Sequence, residues 1–267
     1  MEKRKKLAMR VLSCSEISDG IFDLSLQVPG DKDGGKAYQE TEAGQFVDCY
    51  MNDGAHLLPR PVSICGFDRE NNILRLVFRV VGQGTDYMSR LKAGESLNVL
   101  GPLGNGYKLK DGVNVLLGGG VGIPPMLELS KELKAAYPDS RITAVLGYRT
   151  DDLFLAAEFE KYADVIIATD DGTAGFHGNV IDALKDSKVK PDNIYACGPL
   201  PMLRGVKSYG ASVNAYTQIS LEERMACGVG VCLGCVCNTT ETDTHSNVKN
   251  TRVCTDGPVF EAGYVDI

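Results

Sequence analysis

The sequence predicts a β-barrel, followed by an α/β domain and a small cysteine-containing C-terminal region. Short β-branched segments separated by turn signals fill residues 5–106, as is typical of an antiparallel barrel. In residues 107–219, near-continuous apolar segments alternate with helical patterns, which favours a parallel sheet covered by helices on both faces. Residues 220–267 lack this periodicity and are rich in cysteine and threonine, so we expect a metal centre to order them.

Composition excludes several classes of protein. The 267 residues carry a formal net charge of −7, whereas a nucleic-acid-binding protein presents a basic face. No apolar run reaches the roughly 18 residues that a membrane-spanning helix needs, and Arg10 interrupts the N-terminal apolar stretch that a signal peptide would require. We therefore expect a cytoplasmic protein that binds neither nucleic acid nor membrane. In that compartment, closely spaced cysteines bind metals or take part in catalysis more often than they form disulfides.

Six segments of the first region are predicted strands of an antiparallel six-stranded barrel. A short helix is expected in GTDYMSRLKAG, between the fifth and sixth strands. The strand segments are MRVLSCSEI, GIFDLSLQV, GQFVDCYM, PVSICGF, ILRLVFRVV and SLNVLGPLG.

Two motifs of this barrel favour an anion site. The segment RPVS begins at Arg60, and VFRVVGQGT, from Val77 to Thr85, ends one strand and opens a helix. A Gly-x-Gly-Thr sequence at a helix N-terminus presents free backbone N–H groups, which suit a diphosphate. Arg60 and Arg79 are able to neutralise such an anion. The alternative is a surface arginine beside an ordinary turn, and the glycine motif alone does not decide between the two.

Two strand–turn–helix junctions of the second region favour a dinucleotide. In VLLGGGVGIPPM, the glycines let the backbone approach a pyrophosphate, although Pro124 stands near the third glycine position of the G-x-G-x-x-G fingerprint. The segment YACGPLPM (195–202) forms a second junction at the same predicted sheet edge, where ligands of Rossmann-like sheets bind. Each junction alone is explained equally well by a tight turn. Two junctions at one edge favour the dinucleotide.

The third region contains a cysteine pattern typical of an iron–sulfur cluster. Cys227, Cys232 and Cys235 follow C-x4-C-x2-C, and Cys254 follows after 18 intervening residues, which is the plant-type 2Fe–2S arrangement. A structural zinc site usually has two C-x2-C or histidine-containing halves, and here only one such half occurs. Cys237 lies two residues after Cys235, so its position alone does not exclude it as a ligand.

The order of these motifs resembles the ferredoxin-reductase superfamily of flavoproteins. The motifs are RPVS, GQGT, GPLG, GGGVGIPP, CGPLPM and then the cysteine loop. The segments QISLEERMACGVGVCLGCVC and VCTDGPVF are more specific, because they resemble the electron-transfer subunit of class 1B, NAD-dependent, dihydroorotate dehydrogenase. That likeness covers nearly the whole chain. Cys237 occupies a position that is not a ligand in the family, and the segment between Cys235 and Cys254 is longer than the family pattern leads us to expect.

The resemblance implies a bound FAD and a 2Fe–2S cluster, with NAD+/NADH as substrate. It divides the chain into an FAD-binding barrel (5–106), an NAD-binding α/β domain (107–219) and a cluster-binding region (220–267). The expected FAD residues are Arg60, Pro61, Val62, Ser63, Val77, Phe78, Arg79, Gly84 and Thr85. The expected cluster ligands are Cys227, Cys232, Cys235 and Cys254. The two junctions supply the expected NAD residues Gly119, Gly120, Gly122, Cys197, Gly198 and Pro199, with a small buried thiol as the alternative for Cys197.

The implied function is electron transfer in pyrimidine (UMP) biosynthesis. A separate FMN-containing catalytic subunit would oxidise dihydroorotate, in a heterotetramer with two copies of each subunit. Electrons would then pass through the cluster and FAD to NAD+, so we expect no residue of the dihydroorotate chemistry in this chain. Two alternatives stay open: the flavoprotein subunit of another NAD(P)H-linked reductase, such as a ferredoxin–NAD(P) transhydrogenase or a sulfhydrogenase, and a zinc-stabilised adaptor without enzymatic activity. The segment GYRTDD does not decide between NADH and NADPH.

Overall fold

The first six strands form a closed antiparallel barrel, as the sequence predicts. They are β1 (Lys6–Ser18), β2 (Ile21–Gln27), β3 (Phe46–Tyr50), β4 (Arg60–Asp68), β5 (Ile73–Arg79) and β6 (Ser96–Leu103). Their order round the barrel is β1-β2-β5-β4-β3-β6 in the computed structural model, which describes residues 5–30, 35–242 and 247–267. A 3-10 helix (Gly35–Glu40) precedes β3, and helix α1 (Gln83–Ser89) links β5 to β6.

The two sides of strand β3 face different parts of the protein. Val47 and Cys49 belong to the apolar core inside the barrel. Because side chains alternate along a strand, Phe46 and Asp48 lie on the outer side. Phe46 packs there in a second core cluster, together with Cys235 and Cys254 of the C-terminal region. The outer side of β3 is therefore covered by the cysteine-containing part of the chain.

The second half of the chain builds a seven-stranded sheet with helices on both faces. The remaining strands are β7 (Asn114–Gly119), β8 (Ile142–Tyr148), β9 (Asp164–Thr169), β10 (Phe176–His177), β11 (Asn193–Cys197), β12 (Tyr216–Ser220), β13 (Val236–Asn238), β14 (Asn250–Arg252) and β15 (Val259–Glu261). The large sheet has the order β10-β9-β8-β7-β11-β12-β15, in which only β15 is antiparallel to its neighbour. The chain runs outward from β7 in both directions, so the crevice between β7 and β11 is the topological switch point where ligands of such sheets bind.

In the part of the chain that the structure describes, four α-helices cover this sheet, as expected from the strand–helix alternation. They are α2 (Ile123–Ala136), α3 (Ala156–Phe159), α4 (Val180–Asp186) and α5 (Leu200–Ser212). Helices α2 and α3 pack with Leu116 on one face, whereas α4 and α5 pack with Leu117 on the other. The segment LFLAAEFEKY, residues 153–162, has a helical pattern, but helix α3 occupies only four of its residues. Leu155 has a φ of 63°, in the left-handed region, and this ends the helix on its N-terminal side.

The C-terminal region contains strands that the sequence pattern does not reveal. Strands β13 and β14 form a small separate sheet, and β15 joins the edge of the large sheet beside β12. Each of the three has only three residues, which is too short for periodicity to appear. The region also shares a core cluster with the α/β domain, so it does not rely on a metal centre alone for its packing.

Side-chain contacts join the barrel to the α/β domain. Arg75 of β5 forms ion pairs with Asp23 of β2 and Glu158 of α3, each at 2.7 Å. On α2, the Glu132 carboxylate accepts a hydrogen bond from the backbone N–H of Ala43 at 3.0 Å. Within the three described stretches, no helix is long and apolar enough to cross a membrane.

Candidate redox site

The two barrel motifs meet at the start of β4. The Arg60 guanidinium lies directly over Gly84, so that a Cβ on Gly84 would overlap the Nε atom of Arg60. Arg60 is held in place by donating through Nη1 to the carbonyl oxygen of Leu58 at 2.9 Å. Glycine at position 84 therefore leaves room for the Arg60 guanidinium to lie against this turn.

The two barrel motifs contain one buried donor without a partner, which suits an anion, and two backbone N–H groups that already have an acceptor. The Nε atom of Arg79 is buried and has no hydrogen-bond partner among the described residues. A buried guanidinium nitrogen of this kind needs an acceptor, and a phosphate oxygen is a suitable one. The backbone N–H groups of Val81 and Gly82, however, donate to the Thr85 hydroxyl at 2.9 and 3.2 Å. These two groups, which precede the first helical residue Gln83, are therefore already satisfied and are not available to an anion.

The other predicted FAD residues divide into two groups. Ser63 and Pro61 are partly exposed on β4, opposite Phe46 and Asp48 of β3. By contrast, the side chains of three residues are buried in the core and leave only their backbone available to a ligand. These are Val62, Val77 and Phe78.

The two Gly-containing junctions of the α/β domain meet at the switch point. A Cβ on Gly122 would overlap the carbonyl carbon of Cys197, so the turn after β7 lies directly against the end of β11. A Cβ on Gly198 would lie 3.2 Å from the backbone nitrogen of Gly119. Gly120 has a φ of 54° and open space around its Cα, while Pro199 is the N-terminal cap of α5. The six predicted NAD residues therefore form one continuous edge.

The Cys197 thiol is neutral at this edge. Burial raises its pKa to about 12, and a hydrogen bond from the Ser220 side chain opposes this only in part. Tyr107 lies beside the thiol and donates to the carbonyl oxygen of Ala196 at 3.0 Å. Sequence reasoning did not identify Ser220 and Tyr107, because Ser220 lies in the motif QISLEERMACGVGVCLGCVC without a predicted role and Tyr107 lies in no motif.

The four predicted cluster cysteines stand in two pairs. The Cys232 side chain hydrogen-bonds the Cys227 thiol, and the Cys235 side chain does the same for Cys254. The two pairs are neighbours, since the charge of Cys227 acts on Cys254. Two pairs of thiolates are what the two irons of a 2Fe–2S cluster require. Among the described residues, no three His, Cys, Asp or Glu side chains form a group suited to a single metal ion.

Backbone N–H groups surround these thiols. Gly234 donates to the Cys232 sulfur and Cys254 donates to the Cys235 sulfur, both at 3.4 Å. Burial raises the pKa of the Cys227 thiol, but backbone hydrogen bonds from Val229 and its neighbours outweigh it and lower the pKa to about 7. Such donors also stabilise thiolates that hold iron.

The fifth cysteine of the region, Cys237, shares an apolar cluster with Cys235 and Cys254. It sits on β13 opposite Thr251, is only 9% exposed and packs in the apolar cluster. Burial raises the pKa of the Cys237 thiol to about 11 and that of the Cys254 thiol to about 12, so the pKa does not separate these two cysteines. Part of the long segment between Cys235 and Cys254, residues 243–246 with His245, lies outside the described residues.

The tip of the cysteine loop is apolar and exposed. Val229, Val231 and Leu233 surround the exposed Cys232, and Val231 is 80% exposed. A group of large exposed apolar side chains favours an interaction with another protein.

Asp48 is a further residue of this site that the sequence analysis did not identify. Asp48 is fully buried on the outer side of β3, against Gly228 of the cysteine loop. A charged residue inside the apolar segment GQFVDCYM is the only sequence signal that points to it.

Comparisons with known proteins agree with this geometry. The family model "Iron-sulfur cluster binding domain of dihydroorotate dehydrogenase B" matches residues 222–266, and "Oxidoreductase NAD-binding domain" matches residues 116–208. The dihydroorotate dehydrogenase B (NAD(+)) electron transfer subunit of Bacillus cereus (strain B4264) is 41% identical, with 98% of each chain covered. The corresponding protein of Bacillus anthracis (strain CDC 684 / NRRL 3495) is 40% identical over the same share.

Solved structures give the same fold. An NADH-dependent reduced ferredoxin-NADP oxidoreductase, studied for flavin-based electron bifurcation, superposes with a TM-score of 0.85 at 29% identity. The superposition covers 97% of this chain and 90% of the chain of that oxidoreductase. A ferredoxin NADP+ reductase from Neisseria gonorrhoeae with bound FAD and NADP has a TM-score of 0.64 at 15% identity, over 83% of this chain and 95% of its own, which shows the fold alone. A barrel, a nucleotide-binding sheet and two thiol pairs therefore occur here in a chain that matches these relatives over almost its full length, and the chain belongs to the family of dihydroorotate dehydrogenase B electron transfer subunits.

Proposed function

We propose that the chain carries electrons from a dihydroorotate-oxidising FMN subunit through a 2Fe–2S cluster and FAD to NAD+, in pyrimidine biosynthesis in the cytoplasm. The observation that carries the proposal is the position of the two thiol pairs. They lie beside the outer side of β3, and β4, which begins with the predicted FAD motif, is the next strand. A cluster on these thiols and a flavin on β4 would be close enough to exchange electrons.

The proposal gives each part of the chain a task. Arg60 and Arg79 bind the FAD diphosphate, and Ser63 orients the flavin edge, with Pro61, Val62, Val77, Phe78, Gly84 and Thr85 shaping the pocket. Gly119, Gly120, Gly122, Cys197, Gly198 and Pro199 hold NAD+ at the sheet edge. Cys227, Cys232, Cys235 and Cys254 hold the cluster. When bound, the flavin supplies the conversion between single electrons and a hydride, which neither the cluster nor NAD+ can perform alone.

We also propose the domain limits 5–106, 107–219 and 220–267 for these tasks. The position of β15 in the large sheet supports treating the last region as attached to the α/β domain rather than as an independent unit.

The partner is proposed to dock at the tip of the cysteine loop. The exposed side chains of Val229, Val231 and Leu233 support this, since they would bring the partner next to the exposed Cys232. We propose a heterotetramer with two copies of each subunit. Analytical ultracentrifugation of the co-expressed subunits tests this, and a mass equal to one copy of each would contradict it.

Absorption spectra with iron and sulfide assays test the cofactors. The proposal expects flavin and iron–sulfur absorption, with two irons and two labile sulfides per chain in keeping with a 2Fe–2S cluster. A colourless protein containing zinc would instead support the adaptor alternative.

The Cys232→Ala variant tests the order of carriers. Its loss of the cluster should leave NADH oxidation by artificial hydride-type acceptors intact, because that reaction needs only FAD. It should abolish NAD+ reduction by dihydroorotate in the assembled complex. A variant that lacks the cluster and still couples the two reactions at the normal rate would contradict the proposed order.

Copurification with a ferredoxin-dependent subunit rather than an FMN protein would favour the transhydrogenase alternative.

A further inference from the structure

Asp48 is a buried carboxylate that the proposed function does not use. Its side chain is 0% exposed, and neither oxygen has a hydrogen-bond partner among the described residues. Burial alone raises the pKa of this carboxyl to about 6. Since an unpaired buried carboxylate is destabilising, a residue of this kind is a candidate for a functional role.

The position of Asp48 connects it with both predicted cofactor sites. On β3 it pairs with Pro61, which belongs to the predicted FAD motif of β4. On the outer side it faces the cysteine loop so closely that a Cβ on Gly228 would overlap its Oδ2 atom. Gly228 is buried, has a φ of 63° and directly follows Cys227. The carboxylate therefore lies between the FAD strand and the first cluster cysteine.

A second residue confirms this proximity. Tyr50, two positions further along β3, has a pKa that is raised by burial and then by the negative charges of Asp48 and Cys227. Asp48 and Cys227 are thus both near the Tyr50 hydroxyl. The charge of the Asp48 carboxylate therefore acts on whatever the Cys227 thiolate binds.

We propose that Asp48 is a tuning residue, whose buried negative charge lowers the reduction potential of the 2Fe–2S cluster. Reduction adds one negative charge to the cluster, and a fixed negative charge nearby opposes that addition. Net charge and the surroundings of the sulfurs are known determinants of cluster potential. A lower potential favours passage of the electron from the cluster to FAD. The inference rests on the proposed function, because it needs a cluster on the Cys227 side of the loop.

The test compares the reduction potential of the cluster between the wild-type protein and the Asp48→Asn variant, each in the assembled complex. Asp48→Asn removes the charge and keeps the size of the side chain. We expect it to raise the midpoint potential by at least about 59 mV, which is a tenfold change in a one-electron equilibrium. The iron and sulfide content should stay unchanged. Potentials are read from the cluster's electron paramagnetic resonance signal during a redox titration.

The matched control is Glu70→Gln. Glu70 is an exposed carboxylate in the turn between β4 and β5, at the opposite end of β4 from Pro61. Removing its charge should leave the potential of the cluster unchanged, since solvent screens exposed charges.

The outcomes separate this inference from the proposed function. A full cluster with unchanged potential in Asp48→Asn would overturn the tuning role while leaving the relay intact. Loss of iron in both Asp48→Asn and Asp48→Ala would also overturn it, because the carboxylate would then hold the loop in place. If the wild-type protein itself contains no iron and sulfide, the proposed function fails first, and the inference fails with it.

Discussion

Cys237 and Cys254 are both buried thiols of the C-terminal region, yet only one of them has a sulfur partner from the predicted ligand set. Both lie in the same apolar cluster, but Cys254 is hydrogen-bonded to the Cys235 side chain, whereas no such bond joins Cys237 to another cysteine among the described residues. The geometry therefore favours Cys254 as the fourth ligand, in agreement with the spacing of the plant-type pattern.

The two cysteines should respond differently to the same substitution. Cys237→Ser should keep the iron content and visible spectrum, because it changes no thiol of the two pairs. Cys254→Ser should lose or severely destabilise the cluster, because one iron would then keep a single thiolate. Iron and sulfide assays on both variants check this. The reverse pattern would identify Cys237 as the ligand.

Arg60 offers a residue-scale test of the FAD site. Arg60→Ala removes a charge-assisted contact worth about 1.5–3 kcal/mol, so FAD affinity should fall roughly ten- to a hundredfold. Arg90→Ala is the matched control, since Arg90 is an exposed arginine at the end of α1 that pairs with Asp86. Fluorescence titration of the FAD-depleted proteins measures the affinities. Equal affinity in both variants would remove Arg60 from the proposed site.

At the scale of elements, the turn between β7 and α2 is fixed by its contact with β11. In Gly122→Ala, the added methyl group would overlap the backbone of Cys197. The two junctions would have to move apart to relieve this overlap. We expect a loss of about 1–3 kcal/mol of stability and weaker NADH binding. Urea unfolding and NADH titration measure the two effects. The control is Gly263→Ala, whose Cβ would have no atom within 4 Å, and equal behaviour of the two variants would contradict the prediction.

The elements also show what sequence patterns reveal. The six barrel strands and the alternation of β7, β8, β9, β11 and β12 with helices follow from apolar periodicity, and the structure has them within a few residues of the predicted segments. The two-residue strand β10 was not predicted. Strands β13 to β15 were not predictable in this way, because long-range pairing rather than local pattern creates them. The same holds within the site. Spacing indicates four cysteines but not their pairing, and the contact of Asp48 with Gly228 joins positions far apart in the chain.

For the whole molecule, the contact of Glu132 with the barrel predicts a pH-dependent stability. Burial raises the pKa of this carboxyl to about 7, although the Ala43 N–H lowers it in part. Between the ordinary glutamate pKa of about 4.3 and pH 7, the folded protein thus binds more protons than the unfolded chain. This contribution to stability is complete at low pH and is lost as the pH rises through about 7.

The Glu132→Gln variant tests this contribution. Wild-type protein should lose about 2 kcal/mol from this group between about pH 5.5 and about pH 8, and the variant should not. Urea unfolding followed by circular dichroism gives the free energies. Glu160→Gln, at an exposed position, is the control and should retain the wild-type pH dependence. An identical pH profile for wild type and Glu132→Gln would show that Glu132 does not titrate in this range.

The pairing of β12 with β15 has a consequence for the speed of electron transfer. Ser220 lies opposite Val259, so both ends of the cysteine segment are fixed on neighbouring strands, about 4.8 Å apart. The interior of the segment packs with Phe46 of the barrel. The iron–sulfur segment is therefore not a tethered carrier that swings between donor and acceptor, and no diffusive search precedes electron transfer. Flavin reduction by the cluster should proceed at the same rate in buffer and in viscous sucrose or glycerol solutions.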